Sequence, residues 1–146
     1  MSGLEEHCRR LERMYHGAPI NEQIFRPAIR VSEGRAEVTV TVRPALHHAA
    51  HAVHGSVYFK SLDDAAFFAV NSVVPDVFVL TVSFNIVLLR PIAEGVMTSE
   101  GRLVHQSRTL FVAESTLLNS EGKQLGRGSG TFVRSTIPLD EKVGYR

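Results

Sequence analysis

The sequence predicts an α+β fold, an antiparallel sheet laid over one central helix. Three observations carry that reading. The stretch HAVHGSVYFKSLDDAAFFAVNS, from His51 to Ser72, is apolar round most of a helical circumference, and Pro75 closes it. Beyond Pro75 the apolar period becomes two, and four strand-like runs follow. Segments of turn chemistry, PIAEG and NSEGK, separate some of those runs.

Each element follows in order. Ser2 and Glu5 have capping-box spacing, and Leu4, Cys8, Leu11 and Tyr15 recur on one helical face. Gly17 and Pro19 end this N-terminal helix, residues 1–17. PAIRV, SEGR and AEVTVTV then read as a hairpin, with Val38, Val40 and Val42 alternating with Thr39 and Thr41. ALHHAAHAVHG has no clear period and is placed mainly in a loop. The central helix runs from about Ser56 to Ser72. In the strand after it, Phe78, Leu80, Val82, Phe84, Ile86 and Leu88 fall on one face until Arg90-Pro91. Val96–His105, Thr109–Leu118 and Gln124–Arg134 complete a meander of four strands. The tail 135–146, STIPLDEKVGYR, is polar and expected to be loose. One helix cannot cover both faces of so long a sheet. An open face or edge therefore predicts a homo-oligomer, at least a dimer, with a tetramer as the larger alternative.

The 146 residues suffice for one domain, 1–146, with a proper core. Sixteen basic residues nearly balance fifteen acidic ones, which gives no electrostatic footprint for nucleic acid. Cys8 is the one cysteine, so no internal disulfide is possible and a reducing compartment is the simplest reading. No apolar run is long enough to span a bilayer, and MSGLEEHCRR lacks a signal pattern. A cytoplasmic protein with no membrane partner is expected.

The central helix poses a question, because Asp63 and Asp64 sit in its middle and burying a carboxylate is expensive. On a helical wheel, Asp64 falls between Lys60 and Asn71, a polar stripe that reads as the solvated edge. Asp63 falls among Phe59, Ala66, Phe67 and Val70, where a carboxylate becomes a candidate base or nucleophile. His54-Gly55 stands where the helix begins. The unpaired N–H groups there and the absence of a Gly55 side chain suit an oxyanion, such as the carbonyl oxygen of an ester or thioester under attack. Gly55 and Asp63 are about 12 Å apart along the helix at 1.5 Å per residue. If both act on one small group, they come from two antiparallel helices in two subunits.

Other clusters weigh less. His47, His48, His51 and His54 fall within eight residues, but no nearby acid or thiol completes a ligand set, and no metal site is expected. An active-site loop with one working histidine is the preferred reading. Gly126, Gly128 and Gly130 lack the spacing and the following helix of a dinucleotide fingerprint. They share one strand face and predict a close approach to the helix or a ligand.

HGSVYFKSLDDAAFFAVNS resembles the HGG…LAD…A…A…NS segment of hotdog-fold thioesterases, in particular the PaaI-like acyl-CoA thioesterases of phenylacetic acid degradation. FNIVLLRPIAEG is similar to their next strand. The resemblance extends from about Tyr15 to Arg134. It implies a curved antiparallel sheet wrapped round one central helix and paired into dimers, often tetramers. Carried over by position, it implies Asp63 as the catalytic acid and His54-Gly55 as the His-Gly pair whose Gly N–H polarises the thioester carbonyl. His48 occupies a position often held by Asn or Gln, near the attacking water or the carbonyl. Ser56 replaces a second glycine, at a position to cap the helix or contact the substrate, and Phe67 replaces a small hydroxyl found in some relatives.

The activity so implied is hydrolysis of an acyl-CoA with a medium-chain or aromatic acyl group. Phe59, Phe67 and Phe68 would line its pocket, and no metal or redox cofactor is required. Arg90, Arg102, Arg108, Lys123 and Arg127 are candidate clamps for the coenzyme A phosphates, with Arg108 preferred. The alternative function is a non-catalytic acyl-CoA-binding or sensor module on the same fold. A hotdog dehydratase is a third reading, disfavoured because its glycine-proline motif near the histidine is missing.

Overall fold

Ser2 caps the first helix, α1 (Gly3–Gly17), by accepting the Glu5 N–H at 3.0 Å. The computed structural model describes residues 2–146. Cys8, Leu11 and Tyr15 of the predicted face are buried, whereas Leu4 at its outer end is exposed. Past Gly17 the chain makes a π-helical turn, Asn21–Phe25, which ends at Arg26 in the left-handed region (φ 50°). So short a turn carries no readable period, and nothing in the sequence gives warning of it. The predicted hairpin follows as β1 (Ala28–Ser32) and β2 (Arg35–Thr41), turning through Gly34 at φ 69°.

The central helix, α2, spans Gly55–Asn71. After it come β3 (Val77–Leu88), β4 (Val96–Gln106), β5 (Phe111–Leu118) and β6 (Gln124–Pro138). All six strands form one antiparallel sheet in the order β1-β2-β4-β5-β6-β3. α2 packs against every strand. Gly101 lets it lie directly on β4, since a Cβ there would overlap the Ala65 carbonyl. Gly128 and Gly130 make the predicted close approach too, but to the Phe84 ring, which lies across β6.

Three expectations need correction. The meander holds only for β4–β5–β6; β3 crosses to the far edge and pairs with β6. Turn residues fix neighbouring hairpins, but the partner of a strand entering from a helix is set by non-local packing. The alternation along β3 is also broken. Thr81 pairs with Phe132 and Ser83 with Thr131, so Val82 is the extra residue of a β-bulge. Val79 and Thr81 face α2 before the bulge, and Phe84 and Ile86 pack on the core after it. Leu80 and Val82 are left 43 % and 61 % exposed. Finally, the tail 135–146 is built in rather than loose. β6 runs on to Pro138, Glu141–Val143 form a 3-10 turn, and Tyr145 docks on α1. His7 fastens it: Nε2 donates to the Asn71 carbonyl at 2.8 Å, which leaves Nδ1 to accept the Tyr145 hydroxyl at 2.7 Å. That buried histidine, rather than the polarity of the tail, decides its placement.

Candidate active site

α2 presents Asp63 on the side that faces β3. Oδ1 of Asp63 accepts the Thr81 hydroxyl at 3.0 Å, and Oδ2 has no hydrogen-bond partner among the described residues. The carboxyl lines a cavity of about 360 Å³ whose walls include Tyr15, Phe67, Phe68, Phe78 and Leu80. Burial pushes its pKa up from 3.8 to about 6. The Thr81 bond and Lys60 oppose that rise, and Asp64 adds to it. The bulge at Val82 matters here, because it lets Thr81 turn inward while Phe84 still packs on the core.

Asp64 is not on a solvated edge. It is partly buried, and its Oδ2 accepts both Lys60 Nζ and the Tyr15 hydroxyl, each at 2.6 Å. Burial and the Asp64 carboxylate together hold the Tyr15 phenol well above its ordinary pKa. Asn71, expected on the same edge, is fully buried and ties α2 to β3. Its Nδ2 donates to the Val74 and Val77 carbonyls, and its Oδ1 accepts the Val79 N–H, all at 3.1 Å. The wheel places these residues correctly on α2, but it cannot see α1 and β3 covering them.

The N-terminus of α2 opens into a separate groove. His54 is the N-cap: Nδ1 accepts the Ser56 N–H at 3.0 Å and lies 2.9 Å from Ser56 Oγ. Gly55 is the first helical residue, and its N–H meets no acceptor among the described residues. The groove measures about 360 Å³, and His48, Tyr58, Leu88 and Arg90 line it beside Gly55. His48 is exposed there, with Nδ1 accepting the Ala50 N–H at 3.0 Å. The neighbouring His47 donates from Nε2 to the Ala93 carbonyl at 2.8 Å. No three His, Cys, Asp or Glu side chains converge as a metal-ligand set among the described residues.

Several expected residues therefore meet and others do not. Gly55 and His48 share one groove; Asp63, Phe67 and Phe68 share the other cavity. The two have no lining residue in common. Phe59 stays outside the Asp63 cavity, edge-on to Phe84 at 5.7 Å. Arg108 lies exposed in the β4–β5 connection and lines neither space, since strand pairing carries that turn away from α2. Arg102 is paired with Glu114. Of the candidate clamps only Arg90 reaches the Gly55 groove. Tyr15, Thr81 and Val143, which the sequence does not single out, line the Asp63 cavity. No local pattern marks them as site residues, because each arrives from an element distant in the chain.

Comparison with known proteins adds a family. Residues 50–125, half of the chain, match the family model described as Thioesterase superfamily. The structure is similar to the PaaI protein of E. coli, from the phenylacetic acid degradation operon, with a TM-score of 0.84 at 23 % identity, over 94 % of this chain and 99 % of that one. It is also similar to a single-residue variant of the phenylacetic acid degradation protein PaaI from Thermus thermophilus, with a TM-score of 0.72 at 23 % identity, over 80 % and 99 %. A Saccharolobus solfataricus protein provisionally named an esterase is 23 % identical over 88 % of this chain and 93 % of its own. The curved sheet round one central helix is thus the hotdog fold.

Proposed function

Because this chain belongs to the Thioesterase superfamily, we propose that it hydrolyses the thioester of an acyl-CoA, with Asp63 as base or nucleophile. The observation that carries this reading is the Asp63 carboxyl itself, with one oxygen unpartnered in an aromatic-walled cavity and its pKa raised to about 6. A base works best with a pKa near the working pH. Oδ2 takes a proton from water as the water oxygen bonds to the thioester carbon. The carbonyl becomes an oxyanion, which the Gly55 N–H receives. Collapse expels the thiolate, which takes up the proton. Alternatively Oδ2 bonds to the carbon first as the C–S bond breaks and the thiolate leaves; water then opens the resulting anhydride, which frees the Asp63 carboxylate and the acid and gives the thiolate its proton. His48, in the Gly55 groove, orients the water or the carbonyl. Phe67, Phe68 and Phe78 favour a medium-chain or aromatic acyl group.

Within one protomer Asp63 and Gly55 open into different spaces, so the site is composite. β3 is an edge strand that touches both ends: Thr81 bonds Asp63, and Leu88 lies against Gly55. Its exposed Leu80, Val82, Val87 and Leu88 invite a partner. Two β3 strands paired antiparallel about a two-fold near Phe84 and Asn85 would bring the Thr81 end of one beside the Leu88 end of the other. Asp63 of one protomer then faces Gly55 of its partner, twice per dimer.

The test uses two inactive variants. Gly55→Pro removes the N–H at the first helical position, where proline is tolerated, and His54 already holds the extended backbone that precedes proline (ψ 144°). Its expected loss in kcat is about 10²–10³-fold. Asp63→Asn removes the base. Random mixing by co-expression leaves half the dimers mixed, each with one intact site of two. About one quarter of wild-type acyl-CoA hydrolysis should return. If no activity returns, the composite site is wrong; if Asp63→Asn alone hydrolyses an acyl-CoA panel normally, the base assignment is wrong.

A further inference from the structure

Beside the proposed base stands an acid that the mechanism leaves unused. Asp64 Oδ2 binds the Lys60 ammonium and the Tyr15 hydroxyl, and both the Lys60 and Asp64 side chains are only 16 % exposed. Lys60 Nζ also lies 5.4 Å from the centre of the Tyr15 ring and 5.2 Å from that of Phe25. Three elements thus grip one ammonium: α2 through Asp64, α1 through Tyr15, and the π-helical turn through Phe25. Lys60 precedes Asp63 by three residues, a spacing at which side chains on a helix meet. Yet Asp63 binds Thr81 and not the lysine.

We propose that Asp64, Tyr15 and Phe25 hold the Lys60 ammonium away from Asp63, and that Asp64 is a positioning residue that keeps Asp63 free to act as a base. This inference deepens the reading of Asp63 given above and rests on it. The charged and titratable groups facing Asp63 are Lys60 and Asp64 on α2 and Tyr15 on α1. β3 contributes Thr81, the π-helical turn Asn21 and the C-terminal segment Val143. Asp63 and Asp64 are the two carboxylates of this cavity. An ammonium released by one has the other as its nearest partner. Paired with Lys60, Asp63 would be a weaker base, and its free oxygen would be occupied when water arrives.

The experiment is the pH profile of kcat/KM for acyl-CoA hydrolysis, which reports the ionisation of the free enzyme. In Asp64→Asn the acid limb should move down by about one pH unit or more, because the Asp64 charge that helps to raise Asp63 is lost and the carboxylate gains an opposite charge at ion-pair distance. In the double variant Lys60→Met/Asp64→Asn it should return to the wild-type position. Tyr15→Phe, which keeps the ring and removes one of the two bonds to Asp64, should shift the limb the same way by less. It carries the test if Asp64→Asn does not accumulate folded. A limb that stays at the wild-type position in Asp64→Asn, or in Tyr15→Phe where that variant stands in, overturns the proposal. So does an equal downward shift in the double variant, since the lysine would then not be its cause. Asp63→Asn separates the two claims. Full activity in that variant removes the base itself, whereas a dead Asp63→Asn beside an unshifted Asp64→Asn removes only the positioning role.

Discussion

Replacing Asp63 by Asn should make the protein more stable while it abolishes hydrolysis, and the gain should depend on pH. The folded carboxyl titrates at about 6 against an ordinary 3.8, mainly because burial disfavours its charge. Below the ordinary value the carboxyl is protonated in both the folded and the unfolded chain, and burial carries no charge penalty. Between the two values the unfolded chain ionises first. Above the folded value both are charged, and the folded state bears the full penalty. A shift of about 2 units at 1.36 kcal/mol each is about 3 kcal/mol, present at neutral pH and gone below the ordinary carboxylate range. Asn keeps an oxygen for the Thr81 hydroxyl and carries no charge. The stability of Asp63→Asn minus that of wild type should therefore rise by about 3 kcal/mol from pH 3 to pH 8, or by roughly 5–10 °C in Tm for a chain of this size. Urea denaturation at several pH values and one fixed protein concentration measures this, because unfolding of an oligomer depends on concentration. Titrating groups not coupled to Asp63 cancel in the difference. A difference that stays flat across that range would falsify the picture of a desolvated carboxylate.

Further expectations follow from the same geometry. The wild-type kcat/KM should fall as pH drops through about 6, because the base is then protonated. Thr81→Val removes the one hydrogen bond to Asp63 and keeps the shape, so the acid limb should move up by about one pH unit; a limb that moves down contradicts the assignment. Gly101→Ala places a methyl into the Ala65 carbonyl and should destabilise by about 3 kcal/mol or prevent folding, whereas Gly17→Ala meets nothing nearby and should be close to neutral in thermal melts. Tyr145→Phe leaves Nδ1 of the buried His7 without its donor and should lower stability by about 1–2 kcal/mol in urea titrations.

The sequence makes the helix–hairpin–helix–strand order legible because each element is long enough to show its period. It also makes Asp63 legible, because a carboxylate between Phe59 and Phe67 is a conflict visible on one helix. It does not reveal what resolves that conflict. Thr81 reaches Asp63 only because Val82 bulges out of β3, and a bulge has no period of its own. Asp64 reads as a surface acid because its second partner, Tyr15, lies 49 residues earlier in the chain. Arg108 reads as a clamp by its turn context alone, and the register of β4 on β5 carries that turn away from both cavities. What is missed in each case is a contact between elements far apart in sequence.

The same long-range contacts explain why one strand can serve both ends of the proposed reaction. β3 is the last strand of the sheet, with Thr81 against Asp63 and Leu88 against the helix start. An edge strand buried on both sides would leave neither end open. An edge strand with no inward residues would leave Asp63 without its hydroxyl. The bulge at Val82 reconciles these demands by changing which face points inward part-way along the strand. Before it, Thr81 supports Asp63; after it, Phe84 and Ile86 anchor the strand to the core, and Val87, Leu88 and Leu89 stay exposed for a partner. Deleting Val82 alone would leave Thr81 and Phe84 two places apart on one regular face, both still inward, whereas deleting Val82 and Ser83 together would make them neighbours and turn one of the two outward. That double deletion should lose hydrolysis even where it still folds. Full activity in a folded variant lacking both Val82 and Ser83 would separate the facing of β3 from the chemistry.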